Sequence, residues 1–226
     1  FLYSPIMLSV GLTGNIASGK SMVAAQLENL GALIIDADRI GHDLIGPGGP
    51  VVDAVLAAFG KGVAGPAGDV DRGKLGPLVF ADGEARERLN AIVHPFLINE
   101  IRLRLSALAA AEAREDLEGG PVVPMIVVVD AALIFELGVA DDFDRIVVVT
   151  APDAIRYARL SARGLSPPRA RERMASQWPE AEKVRRADLV ITNSGTTAEL
   201  ETQVSRLWTT LTLAAASPSQ RKDEPG

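Results

Sequence analysis

Five short apolar runs separated by stretches of helical periodicity constrain this chain more than any other feature. They are Leu8–Thr13, Ala32–Asp36, Met125–Asp130, Arg145–Thr150 and Leu189–Thr192. Each is nearly apolar throughout and rich in β-branched residues, which is the pattern of strands buried on both faces of a parallel sheet. Between them, Gly19–Leu30 carries Val23, Leu27 and Leu30 on one helical face. His94–Ala113 does the same with Leu97, Ile101, Leu105 and Leu108, and Thr196–Leu211 with Leu200, Val204 and Leu207. Pro95 suits the first turn of the second helix, so His94-Pro95 is expected at a helix start. Strands alternating with helices predict an α/β, doubly wound architecture on a five-stranded parallel sheet.

The length of 226 residues fits one globular domain carrying inserts. We expect a single domain over 7–213, with core segments 7–45, 121–151 and 187–213. A helical insert at 46–120 has Gly/Pro-rich breaks at Gly46–Pro50 and Gly60–Gly68 and turns helical from Asp71 onward. It is read as one wall of an acceptor pocket. A second, arginine-rich helical insert covers 152–186, and 1–6 and 214–226 read as terminal extensions. The net charge of -6 and an aromatic content of 4% speak against nucleic acid as a partner. With no cysteine and two histidines, a thiolate or zinc centre is not expected. No apolar run approaches the roughly 20 residues that span a bilayer, and no signal peptide is read, so a cytoplasmic protein, monomeric or weakly homo-oligomeric, is the expectation.

Directly after the first run, Gly14-Asn15-Ile16-Ala17-Ser18-Gly19-Lys20-Ser21 matches G-x-x-x-x-G-K-[ST], with an apolar β-rich run before it and a helical pattern after it. Glycines let backbone approach phosphates, and N–H groups of the loop and the following helix point at the anion. Lys20 supplies positive charge near the β- and γ-phosphates, and the Ser21 hydroxyl is a Mg²⁺ ligand candidate. The motif predicts binding of a nucleoside triphosphate with Mg²⁺ and a P-loop NTPase-type sheet. By itself it fits a kinase, a GTPase or an ATPase.

Two acidic elements follow apolar runs. Asp36-Ala37-Asp38 sits at the carboxyl end of the second run, where doubly wound folds bind ligands. Asp38 is the candidate general base for an attacking hydroxyl, and Asp36 the candidate for orienting magnesium-bound water or the acceptor. The alternative is that Asp36 caps the next helix and Asp38 stabilises its first turn. Asp130 closes the third run and is the candidate second magnesium ligand. Among Arg156, Arg159, Arg163, Arg169, Arg171 and Arg173, the residue beside Gly164, Arg163, is chosen as the charge a closing lid brings to the transferred phosphoryl group. The alternative is a solvated helix paired with acids such as Glu172 and Glu180. His94 either contacts the acceptor or is structural.

With these residues in view, the chain resembles the dephospho-coenzyme A kinase family from about Met7 to Leu211. The resemblance is carried by Val10–Ser21, Ile34–His42, Asp69–Phe80, Leu89–Pro95, Val127–Glu136, Ala158–Gln177 and Ala187–Gly195. It implies phosphorylation by ATP of the ribose 3′-hydroxyl of dephospho-coenzyme A, with a P-loop core, a helical acceptor-binding region and a lid. By similarity, Asp38 is the base, and Lys20 and Arg163 act with it. Arg72, Phe80, His94, Leu133 and Glu136 join Asp36 toward the acceptor. Asn193 lies near the adenine of ATP, with the loop residues through Met22 also on the nucleotide.

Asn15 and Ala17 stand where the family often has glycine, and Ala17 matters more, because a Cβ restricts positive φ. Ala131-Ala132 stands where a proline is usual before the leucine, and Met22 where threonine is frequent. The competing readings are a P-loop nucleoside or nucleotide kinase with another acceptor, and a non-catalytic ATP-binding protein.

Overall fold

β1 (Leu8–Thr13), buried along its whole length, is the middle strand of the sheet seen in the computed structural model, which describes residues 7–117 and 124–216. The extension at 1–6, the tail from 217 and the insert-to-core junction at 118–123 lie outside the described residues. The strand order is β2-β3-β1-β4-β5, with β2 at Leu33–Asp36, β3 at Ile126–Asp130, β4 at Arg145–Thr150 and β5 at Leu189–Thr192. β1 pairs in parallel with β3 and β4, and β4 in parallel with β5. All five expected runs are strands. β1 and β3 are enclosed on both faces, as continuous apolar runs require.

One face of the sheet packs on α1 (Lys20–Asn29) and α9 (Thr197–Ala215). Leu8, Val10 and Leu12 of β1 meet Val23 and Leu27 of α1 and Leu200, Val204, Leu207 and Leu211 of α9 in one buried cluster. Successive strand side chains alternate between faces, so these three alternate residues share one side. α9 starts at a capping box, with the Thr196 side chain accepting from Glu199 N–H and Glu199 accepting from Thr196. It continues past the expected end at Leu211 because Ala214 and Ala215 are also buried. Residues 214–215 therefore belong to the packed helix rather than to a terminal extension.

The described chain divides into two compact units, one containing the sheet (through Ile35 and again from Leu105) and one spanning Asp36–Arg104. The second begins ten residues before the insert boundary expected at 46. Its first helix, α2 (Ala37–Ile45), is tied to the insert: Val70 N–H donates to the Ile45 carbonyl at 3.0 Å. α3 (Val52–Phe59), which the glycine-rich surroundings hid, packs beside it, and α4 spans Arg72–Ala81 behind an Asp71 cap.

α5 runs unbroken from Gly83 to Leu117. This corrects the expected helix start at His94-Pro95: both residues are interior. Asp82 supplies the N-terminal signal instead, its carboxylate accepting from Glu84 N–H at 2.9 Å. An interior proline removes one ladder bond. Here Pro95 and Ala91, whose carbonyl loses that donor, are both exposed, which leaves the freed acceptor open to solvent.

The arginine-rich segment is helical as expected, as α6 (Asp153–Ala162), α7 (Pro167–Ala175) and α8 (Glu180–Arg186). No helix among the described residues is long and apolar enough to cross a membrane.

Candidate active site

The loop Gly14–Gly19 leaves the carboxyl end of β1 and enters α1. A Cβ on Gly14 would overlap the Val149 carbonyl oxygen, and one on Gly19, at φ 97°, would overlap the Asn193 amide nitrogen. Both glycines are therefore dictated by close approach, and Gly19 by its left-handed backbone as well. Ala17 is at φ 62°, the one positive-φ non-glycine residue among the described residues. Its methyl group is buried with Leu160 of α6 and Ala170 of α7.

α2, α4 and α9 each begin under an Asp or Thr side-chain cap, whereas α1, like α7 with its prolines in the first turn, has no side-chain cap and no acidic residue in its first turn. Its first N–H groups and partial positive charge are left open at the end of a phosphate-loop sequence. A phosphate group is the ligand such an end accommodates.

Lys20, the first residue of α1, forms an ion pair with Asp130, the last residue of β3. Both side chains are 12% exposed, so the pair is shielded but open to a ligand. Ser21 follows on an exposed face, and Met22 is 45% exposed. The Asp130 carboxylate and the Ser21 hydroxyl are hard oxygen donors. They suit Mg²⁺, which commonly takes one or two protein oxygens and completes its shell with phosphates and water.

The outer side of the loop is held by residues that sequence reasoning did not single out. Arg159 Nη1 donates to the carbonyls of Ala17 and Ser18, each at 3.0 Å, and Nη2 to the Asn193 carbonyl at 3.3 Å. Arg156, 3% exposed, donates Nε–H to the Ile16 carbonyl at 3.0 Å and pairs with Asp153 and Glu180. Burial raises the Glu180 carboxyl above its usual range, against the lowering effect of Arg156. Gln177 Oε1 accepts from Ile16 N–H at 2.7 Å, and the Trp178 carbonyl accepts from Asn15 Nδ2 at 3.0 Å. The sequence signal for this region is the spacing of Arg159 and Arg163, which lie four residues apart and so share one helix face.

The other expected site residues of this unit take the following positions. Arg163 is exposed at the C-cap of α6, and it is Arg159, one turn earlier, that reaches the loop. Farther along, Arg169 and Arg173 line a cleft of about 510 Å³ with Gly164, Leu165 and Ser166. Asn193 is 3% exposed, and its side-chain nitrogen donates to the Ser18 carbonyl at 2.9 Å, which makes it a support of the loop. Glu136 Oε1 is bound by Lys183 at 2.8 Å and by Trp178 N–H at 3.3 Å. Leu133 is half-buried in the same turn-rich segment after β3.

In the second unit, Asp36 caps α2 by accepting from Arg39 N–H at 3.0 Å, the alternative weighed for it. Asp38 lies in the first turn of α2 with an exposed side chain. Arg72 opens α4 and is exposed, and Phe80, in its last turn, is 53% exposed. His94 is half-buried in α5, and burial lowers its pKa below the usual histidine value.

Residues 8–199 match the family model described as dephospho-CoA kinase. The chain is 42% identical over 200 residues to the dephospho-CoA kinase of Geobacter sulfurreducens, covering 88% of this chain and 96% of the relative. It is 40% identical over 218 residues to that of Streptomyces avermitilis, covering 96% and 100%. Among solved structures, a Thermus thermophilus protein matches with a TM-score of 0.72 at 31% identity, covering 90% of this chain and 96% of that one. A dephospho-CoA kinase from Campylobacter jejuni matches with a TM-score of 0.65 at 25% identity, covering 92% and 98%.

Proposed function

We propose a reaction for this chain from the premise that it belongs to the dephospho-CoA kinase family: transfer of the γ-phosphoryl group of ATP to the ribose 3′-hydroxyl of dephospho-coenzyme A, giving coenzyme A and ADP. The observation that carries it is the uncapped N-terminus of α1 behind Gly14–Gly19, with the Lys20–Asp130 pair at its mouth. A ready anion site with a mobile cation and a carboxylate beside it is what a triphosphate with a divalent metal needs.

Lys20 neutralises charge on the β- and γ-phosphates, exchanging its Asp130 partner for phosphate oxygens. Asp130 and Ser21 would hold the magnesium, which would offset charge developing on the phosphates. Asp38, exposed in the first turn of α2, is the base that takes the proton of the attacking 3′-hydroxyl. Arg72, Phe80 and His94 serve the acceptor. Arg163 serves the transferred phosphoryl group from an exposed position that leaves it free to move with the lid. The cytoplasm is the proposed compartment.

An ADP-release assay with Mg-ATP tests the reading, comparing dephospho-coenzyme A with AMP, adenosine, cytidine and no acceptor. ADP formed only with dephospho-coenzyme A, and a product bearing a 3′-phosphate, is the expected result. No stimulation of a folded, ATP-binding protein would overturn it. With Asp38→Asn, turnover is expected to collapse while ATP binding survives, and unchanged turnover would remove Asp38 as the base.

A further inference from the structure

Lys183 is the largest side chain fully enclosed in the described structure, and the phosphoryl-transfer scheme gives it no part. It lies on α8, with 0% of its side chain exposed. Its ammonium donates to the Ala132 carbonyl at 3.0 Å and pairs with Glu136 Oε1 at 2.8 Å. Enclosing a lysine is costly, and a buried ion pair is rarely better for stability than two apolar residues of the same shape. What it contacts is therefore informative.

The Ala132 carbonyl also accepts from the Thr13 hydroxyl at 3.0 Å. Thr13 is the residue before Gly14, and Ala132 is two residues beyond Asp130. One carbonyl, gripped by two donors, thus joins the start of the phosphate loop to the turn that leaves Asp130. Ala131 N–H adds a bond to the Leu12 carbonyl at 3.0 Å across the same two chain segments. On its other side, Lys183 holds Glu136. Glu136 accepts from Trp178 N–H, and the Trp178 carbonyl accepts from the Asn15 side chain within the loop. Trp178 is fixed in turn by stacking on Phe135 and by Arg186 over its ring at 5.0 Å. Both routes from Lys183 end on the phosphate loop, and one passes beside Asp130.

We propose that Lys183, acting through Ala132 and Glu136, is a positioning residue for the Mg-nucleotide site: it sets the spacing between the phosphate loop and Asp130. This rests on the reading of Gly14–Ser21 as a nucleotide site. It also moves Glu136 from the acceptor to the support of the nucleotide site.

The test is calorimetric titration of the full chain with ADP, with and without MgCl₂ and with no acceptor present, for wild type, Lys183→Met and Glu136→Gln. Loss of a group that orients a metal ligand commonly costs 10–100-fold in metal affinity or activity. Lys183→Met is expected to weaken Mg-ADP binding about ten-fold. The loss without Mg²⁺ should be smaller, and in turnover the KM for Mg-ATP should rise with the KM for dephospho-coenzyme A unchanged. Glu136→Gln keeps the shape of the turn and the Ala132 bond, so it is the variant read if Lys183→Met does not fold, and a shift in the same direction is expected. Folded variants that melt lower yet bind Mg-ADP as wild type does would overturn the proposal and leave Lys183 a structural residue. Wild type that binds Mg-ADP but does not phosphorylate dephospho-coenzyme A would sink the functional reading, while the affinity comparison would still decide the role of Lys183.

Discussion

Lys20, the first residue of α1, is paired with Asp130, the last residue of β3, so the cation of the phosphate loop is held by the carboxylate that closes the neighbouring strand. The pair gives each charge an opposite partner, and in the proposed reaction Lys20 exchanges Asp130 for phosphate oxygens. Lys20→Met should therefore act twice. In the proposed reaction it removes the positive partner of the β- and γ-phosphates, and removal of one such preorganised group typically lowers turnover by roughly a hundred-fold or more. It also leaves Asp130 shielded and without its lysine, at a cost of about 3 kcal/mol in folding stability. Steady-state kinetics and thermal melting read the two effects separately. Lys20→Met/Asp130→Asn should recover much of the stability and none of the activity, and recovery of both would remove Lys20 from the reaction.

Arg159→Ala is expected to loosen the loop without touching its phosphate-facing side. One guanidinium serves three loop and strand-end carbonyls, and hydrogen bonds from a charged donor contribute about 1.5–3 kcal/mol each before their mutual dependence is counted. A combined loss of about 2–3 kcal/mol, lowering Tm by roughly 5–10 °C, is the expected outcome. The KM for ATP should rise more than that for dephospho-coenzyme A. Arg163→Ala, at the exposed end of the same helix, should leave Tm unchanged and lower kcat. Reversed results for the two would exchange their roles.

The contiguous part of this site was legible in the sequence because its physics is local. Gly14–Ser21 declares itself by glycines, a lysine and a hydroxyl at fixed spacing, and β1 and β3 by β-branched runs. Arg159 was not separable from Arg163, since which turn of α6 meets the loop depends on how that helix packs, more than 120 residues away from the loop in sequence. Lys183 gave no signal at all: in Glu-Lys-Val-Arg-Arg it looks like one more solvated charge on a polar helix. Pro95 misled because the rule placing proline in a first turn is local, whereas α5 starts behind the Asp82 cap and continues through Pro95 for 35 residues. Asp36 was readable in two ways, and the capping geometry chose the cap.

Ala17 sets three effects of similar size against one another. A left-handed alanine costs about 1–2 kcal/mol, which glycine would relieve. Glycine would also lose about 0.4–1 kcal/mol through the freer unfolded chain, and about 0.8 kcal/mol for the buried methyl packed near Leu160 and Ala170. Ala17→Gly should accordingly be near-neutral, within about 1 kcal/mol by denaturant melting. Ala17→Val, branched at Cβ and at the same φ, should lose more than about 2 kcal/mol. A glycine variant stabilised well beyond that range would mean that the methyl contributes nothing to the contact between the loop and helices α6 and α7.

His94 gives the fold a pH dependence whose sign follows from its burial. Half-buried in α5, it has a pKa below the ordinary histidine value of 6.5, because removal from water disfavours the imidazolium. A depressed folded-state pKa means that the unfolded chain binds the proton more readily. The stability associated with the neutral ring is thus fully present above about pH 6.5 and is lost as pH falls from there through the folded-state value. Ordinary carboxylates titrate near pH 4, and Glu180, raised by burial, is common to both proteins, so the difference between wild type and a His94 variant isolates the histidine. Wild type should lose stability between pH 7 and pH 5, and His94→Asn should lose less over the same interval. The comparison is best made by urea melting at several pH values at fixed ionic strength. Parallel curves for the two proteins would show that His94 does not contribute to the slope, and a steeper curve for the variant would reverse the assigned direction.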